Sequence, residues 1–86
     1  MFRAKYIHDR MRQQPFVPAR FVTSSGQAYD VYHPDLVLVG RRDVHIGIPR
    51  SEGDELYEDV VRLAIMHISA IEDLPRRSKR SGTSRS

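Results

Sequence analysis

Cysteine is absent from this 86-residue chain, which excludes disulfide staples, thiolate zinc sites and cysteine nucleophiles. A reducing, cytoplasmic setting fits that lack. No run comes near the ~20 apolar residues that a membrane-spanning helix requires. The N-terminal stretch MFRAKYIHDRMRQQ places a charge every few positions and has no apolar core of the kind a secretory signal needs. A soluble protein with no membrane partner is expected. Nucleotide-binding signatures are missing too. Gly40-Arg41-Arg42 is not a phosphate-cradling glycine loop, and no RNA-recognition motif of the RNP type occurs. The four histidines, at 8, 33, 45 and 67, show neither H-x-H nor H-x-x-x-H spacing and have no clustered acids beside them. The spacing therefore offers no metal site, and no cofactor is expected.

What is present makes one small domain, in which an apolar fraction of 40% must be placed efficiently to build a core. The net charge of +3 hides an uneven distribution. Residues 1–50 hold eight Lys/Arg and four Asp/Glu, whereas 51–75 hold one arginine, Arg62, and seven acids. The last stretch, RRSKRSGTSRS, holds five basic residues and no acid. Residues 1–75 are thus net −2, and the basic character lies wholly in 76–86. That stretch has no apolar side chain to bury, so a single domain over 1–75 followed by a disordered basic tail is expected. An argument for nucleic acid from overall basicity weakens accordingly.

Along the chain, Ala4, Ile7 and Met11 recur at helical spacing, which predicts a short helix over 3–14 ended by Pro15. Pro15 and Pro18 then hold the chain extended, as suits the approach to an edge strand. Ala19, Phe21 and Thr23 alternate with Arg20 and Val22, and Ser24-Ser25-Gly26 supplies a tight hairpin turn. The second strand, Gln27–His33, puts Tyr29, Val31 and His33 on one face and is interrupted at Pro34 by a bulge or bend. Leu36–Val39 is continuously apolar, which predicts a strand covered on both faces. After a turn at Gly40–Asp43, Val44, Ile46 and Ile48 alternate with His45 and Gly47 until Pro49. Residues 49–59 are polar and acidic, a long loop or a loop leading into a helix. The stretch VVRLAIMHISAIEDL reads two ways: as a helix over 54–74 with a polar stripe, or as two strands about a turn at Met66-His67-Ile68.

Gln14-Pro15-Phe16-x-Pro18, Ser25-Gly26, Tyr29-x-Val31-x-His33-Pro34-Asp35 and His67-Ile68-x-x-Ile71-Glu72 follow one another in order. This pattern resembles that of a family of short bacterial proteins, over about residues 10–74. Ala19 departs from it, because a larger apolar residue is usual there. The family brings no assigned activity, so the resemblance implies architecture alone. It implies a mainly β protein: a short N-terminal helix and a small five-stranded antiparallel barrel of the SH3-like or Sm-like type. In such barrels a helical turn precedes the last strand, which favours the two-strand reading of 54–74. The alternative is an α+β fold, a hairpin sheet with a C-terminal helix over 54–74.

His33 and Asp35 flank the break at Pro34 and form the one conceivable acid/base pair. No nucleophile or second acid accompanies them, Ser24 and Ser25 being turn residues, so no enzyme is expected. Arg41 and Arg42, on a loop between strands, are candidates for phosphate contact, with Tyr29, Tyr32 or Phe21 to stack on bases if exposed. Arg76, Arg77, Lys79 and Arg80 would attract any polyanion in a salt-dependent way. Sheet edges give the stronger expectation, a small non-enzymatic module that binds another protein or itself. An RNA- or DNA-binding Sm-like barrel using Arg41, Arg42 and the tail is the alternative.

Overall fold

The computed structural model describes residues 1–51 and 54–75; the expected basic tail, with Arg76, Arg77, Lys79 and Arg80, lies outside them. Helix α1 spans Ala4–Met11 and ends sooner than the periodicity predicts. It buries Ile7 and Met11, one turn apart, against the sheets. Arg10 fastens its last turn: the guanidinium donates to the Val17 carbonyl at 2.8 Å and pairs with Asp73 near the end of the last strand. The same group lies 5.9 Å from the Phe16 ring centroid.

Six strands follow: β1 (Ala19–Thr23), β2 (Ala28–Val31), β3 (Val37–Val39), β4 (Asp43–Pro49), β5 (Tyr57–Ala64) and β6 (Ile68–Asp73). They form two three-stranded antiparallel sheets, ordered β2-β1-β6 (sheet A) and β3-β4-β5 (sheet B). Among the described residues the chain is mainly β with one short N-terminal helix, but the sheets do not close into a barrel and the strands number six rather than five. The reason lies at two joints. Pro34 brings no N–H to a ladder, and Pro34–Leu36 forms a 3-10 turn that splits the second strand, leaving β2 with β1 and β3 with β4. A second 3-10 turn, Ile65–His67, separates β5 from β6, and these pair with β4 and β1 respectively. The helix reading of 54–74 is thereby set aside.

Alternation in β1 holds as read, with Ala19, Phe21 and Thr23 all buried. Val44 and Ile46 of β4 face them across the core, joined by Val31, Val37, Leu63, Ile65 and Ile68. The apolar run at 36–39 does not behave as expected. Val37 is buried, but Leu38 is 71% exposed, because only one face of sheet B meets the core. Gly26, at φ +93°, makes the β1–β2 turn, a conformation that an L side chain resists.

Candidate functional site: a cleft between two strand edges

The break at Pro34 opens a cleft between the two sheets. The β3–β4 ladder begins at Val37 opposite Ile46, so among the described residues no strand pairs with Gly47–Pro49 on that side of β4. β2 meanwhile stays with sheet A as its edge strand. Between these two stretches lies a cleft of about 330 Å³, lined by β2 together with Leu36, Ile48 and Pro49. Its volume suits a small ligand or a few side chains.

Backbone direction follows from the turns. The Thr23 N–H donates to the Gln27 carbonyl at 2.8 Å, so with the β1–β2 register the odd residues of β2 face β1. Ala28 and Asp30 then direct their backbone groups outward, toward the cleft. The Gly40 N–H donates to the Asp43 carbonyl at 2.8 Å, which by the same alternation turns Gly47 toward it from β4.

Three other sheet edges are protected, each in its own way. Helix α1 packs against β3. β5 carries a side chain bonded to its own outward amide, Asp59 Oδ1 to the Val60 N–H at 2.8 Å. The β1–β6 register slips between Val22 and Thr23, leaving Ser69 as an extra residue on β6, where its hydroxyl donates to the Val22 carbonyl at 3.2 Å. On β2 no such device occurs among the described residues. Its Asp30 carboxylate is drawn sideways to Arg20, with bonds of 2.7 and 3.2 Å. The hydrogen bond from Arg20 to Asp30 holds the guanidinium above its ordinary pKa.

The candidates taken from the sequence scatter. His33 is half-buried and lines the cleft, whereas exposed Asp35 lines a separate groove beside α1, with His8 and Arg12. The 3-10 turn parts them, and His33 serves the bend through its carbonyl, which accepts the Leu36 N–H at 3.0 Å. Phe21 is fully buried and has no face for a base, while Tyr29 and Tyr32 are half-buried in the cleft wall. Arg41 and Arg42 are both exposed on the β3–β4 turn. Arg41 shares a shallow depression with Lys5 and His8 of α1, although Lys5 is bonded to Asp9 at 2.8 Å, which raises the lysine pKa and lowers that of the carboxyl. Among the described residues no three His, Asp or Glu side chains gather as metal ligands, and no helix is long and apolar enough to cross a membrane.

On the β4 wall of the cleft the sequence marks Gly47 as a point of close packing or a bend, but not as part of a binding surface. The signal available was Gly47, a glycine inside a strand, followed two residues later by the proline that stops it. A Cβ there would lie 3.0 Å from the Tyr57 Cβ and 3.4 Å from that of Leu36, so the glycine makes room for both side chains beside the cleft. No protein-family model, curated protein or solved structure matches the chain.

Proposed function

We propose that the protein is a small non-enzymatic module that binds an extended segment of another protein along the outer edge of β2. The observation that carries this reading is the unprotected β2 edge facing an apolar cleft. A strand laid there would take main-chain hydrogen bonds from Ala28 and Asp30 and place alternate side chains toward Ile48 and Pro49. The separation of His33 from Asp35 supports the non-enzymatic part. The two sheet orders, with a 3-10 turn ahead of the last strand, support reading the chain path as SH3-like or Sm-like, opened at Pro34.

The test is selection of peptides from a random displayed library against the folded chain, followed by amide chemical-shift mapping. Selected peptides are expected to shift Ala28–His33 and Gly47–Ser51. Ala28→Pro, which removes an outward N–H from an edge strand where proline is tolerated, is expected to weaken binding at least tenfold. Shifts confined to other surfaces, or binding indifferent to Ala28→Pro, would sink the reading.

A second reading, binding of RNA or DNA phosphates, draws on the placement of Lys5 and His8 beside Arg41. The aromatics expected to stack on bases lie elsewhere, Phe21 in the core and Tyr29 and Tyr32 in the cleft wall, and this reading ranks below the first.

A further inference from the structure

We infer that the groove between α1 and β3 is a docking site for a second copy of this chain, which inserts the acidic tip that joins its β4 to its β5. The groove shares no lining residue with the β2 cleft, so the inference does not depend on peptide binding there.

The groove consists of two depressions, about 630 and 230 Å³, that have His8 and Val39 in common. Its wall includes Leu38, whose side chain the fold leaves uncovered. Charge is graded along its length. Lys5, His8 and Arg41 stand at the end nearest the β3–β4 turn, whereas Asp35 stands at the other, ahead of β3. Lys5 is engaged by Asp9. Arg41 is exposed and has no ion pair among the described residues, so its guanidinium is the charge left to be met. An incoming carboxylate is drawn to the Arg41 end and repelled from the Asp35 end.

The tip carries the complement of this groove. Asp54, Glu55, Glu58 and Asp59 put four acids within residues 54–59, and three of them are engaged. Asp54 Oδ1 accepts the Leu56 N–H at 3.0 Å, Glu58 pairs with Arg50, and Asp59 accepts the Val60 N–H. Glu55 is exposed and has no ion pair among the described residues, and Leu56 beside it is 76% exposed. A spare carboxylate next to an uncovered leucine thus answers a spare guanidinium next to Val39 and an uncovered leucine. Seated in the groove, Glu55 meets Arg41 while Leu56 covers Leu38 and Val39.

One chain cannot make this contact with itself. Arg41 lies ahead of β4 and the tip follows it, so the strand Asp43–Pro49 holds them ~20 Å apart. A second copy brings the tip to the groove. Because tip and groove are different surfaces, the contact is heterologous. Its small area makes the association weak and concentration-dependent.

Sedimentation equilibrium of the full chain tests it, with substitutions at exposed positions only. A tip variant, Glu55→Arg/Leu56→Ala, and a groove variant, Leu38→Ser/Arg41→Glu, are each expected to self-associate at least about tenfold more weakly than the wild type. Mixed in equal amounts, the two should associate with each other, since the first keeps an intact groove and the second an intact tip. Amide shifts of the labelled wild-type chain on dilution should change at residues 38–41 and 54–57 together. A wild-type chain that stays monomeric at the highest attainable concentration overturns the inference. So does a mixture that associates no better than either variant alone. Association that is lost with the tip variant but survives in the groove variant also overturns it, and assigns the tip to the basic residues 76–86 instead.

Discussion

Arg10 makes more kinds of contact than any other cation among the described residues. Its side chain is 9% exposed and joins the end of α1 to the Val17 carbonyl, the Phe16 ring and Asp73. Removing it leaves a part-buried carbonyl without a donor and α1 without its tie to β6. An unsatisfied buried acceptor costs ~1–3 kcal/mol, so Arg10→Ala is expected to lower the unfolding free energy by about 2 kcal/mol in urea titrations. Arg10→Lys should recover only part of that, because one ammonium cannot span the carbonyl and the carboxylate in the fork geometry of guanidinium. A change below ~0.5 kcal/mol, the range of ordinary surface substitutions, would count against this role. By contrast the Lys5–Asp9 pair, 84% and 58% exposed, is a solvated contact of little consequence for stability.

At the scale of elements, Gly47 and Tyr57 form a unit that joins β4 to β5 beside the cleft. A methyl group at 47 would sit 3.0 Å from the Tyr57 Cβ, a contact with the stiff base of a side chain. Tyr57 or the strand end must then shift. Gly47→Ala is expected to cost ~1–3 kcal/mol, in the range of overpacked sites, and Gly47→Ala/Tyr57→Ala should be less unstable than the sum of the single changes. Additivity within about 0.5 kcal/mol would show that the two do not meet. The elements themselves were largely legible in the sequence. Period-two burial in β1 and in the Asp43–Ile46 half of β4, the turn glycine at 26 and the 3.6-residue spacing of Ile7 and Met11 are local patterns, and each stands in the fold; the alternation in β4 lapses at Gly47, which is buried. Two features were not legible, because both depend on partners distant in sequence. Leu38 looked covered until the single core face of sheet B was known. The stretch 54–74 satisfies helical and strand periods alike, and pairing with β4 and β1 decides it. The cleft belongs with these. Pro34 signalled a bend, but nothing local says that the bend parts two sheets and leaves Gly47–Pro49 without a strand beside them.

For the whole molecule the governing feature is the division of charge. Residues 1–75 are net −2 and 76–86 carry five basic side chains. Any attraction to single-stranded RNA or DNA that comes from the tail alone has an upper bound. For single strands the log–log salt slope is about −0.7 per phosphate neutralised, so five contacts give a slope of roughly −3.5. Between 50 and 200 mM salt the affinity should then fall about a hundredfold. Truncation after Pro75 should remove the binding altogether, and Arg41→Ala/Arg42→Ala in the full chain should barely alter it. Fluorescence anisotropy with a labelled homopolymer at the two salt concentrations checks each point. Binding that survives truncation and falls with the double substitution would reverse the ranking. The β3–β4 turn, with Lys5 and His8 beside it, would then be a built phosphate surface, and the β2 cleft would lose its place as the leading site. Binding that vanishes with the tail leaves nucleic acid as a non-specific counterion effect, and leaves the strand edges to account for what the fold presents to a partner.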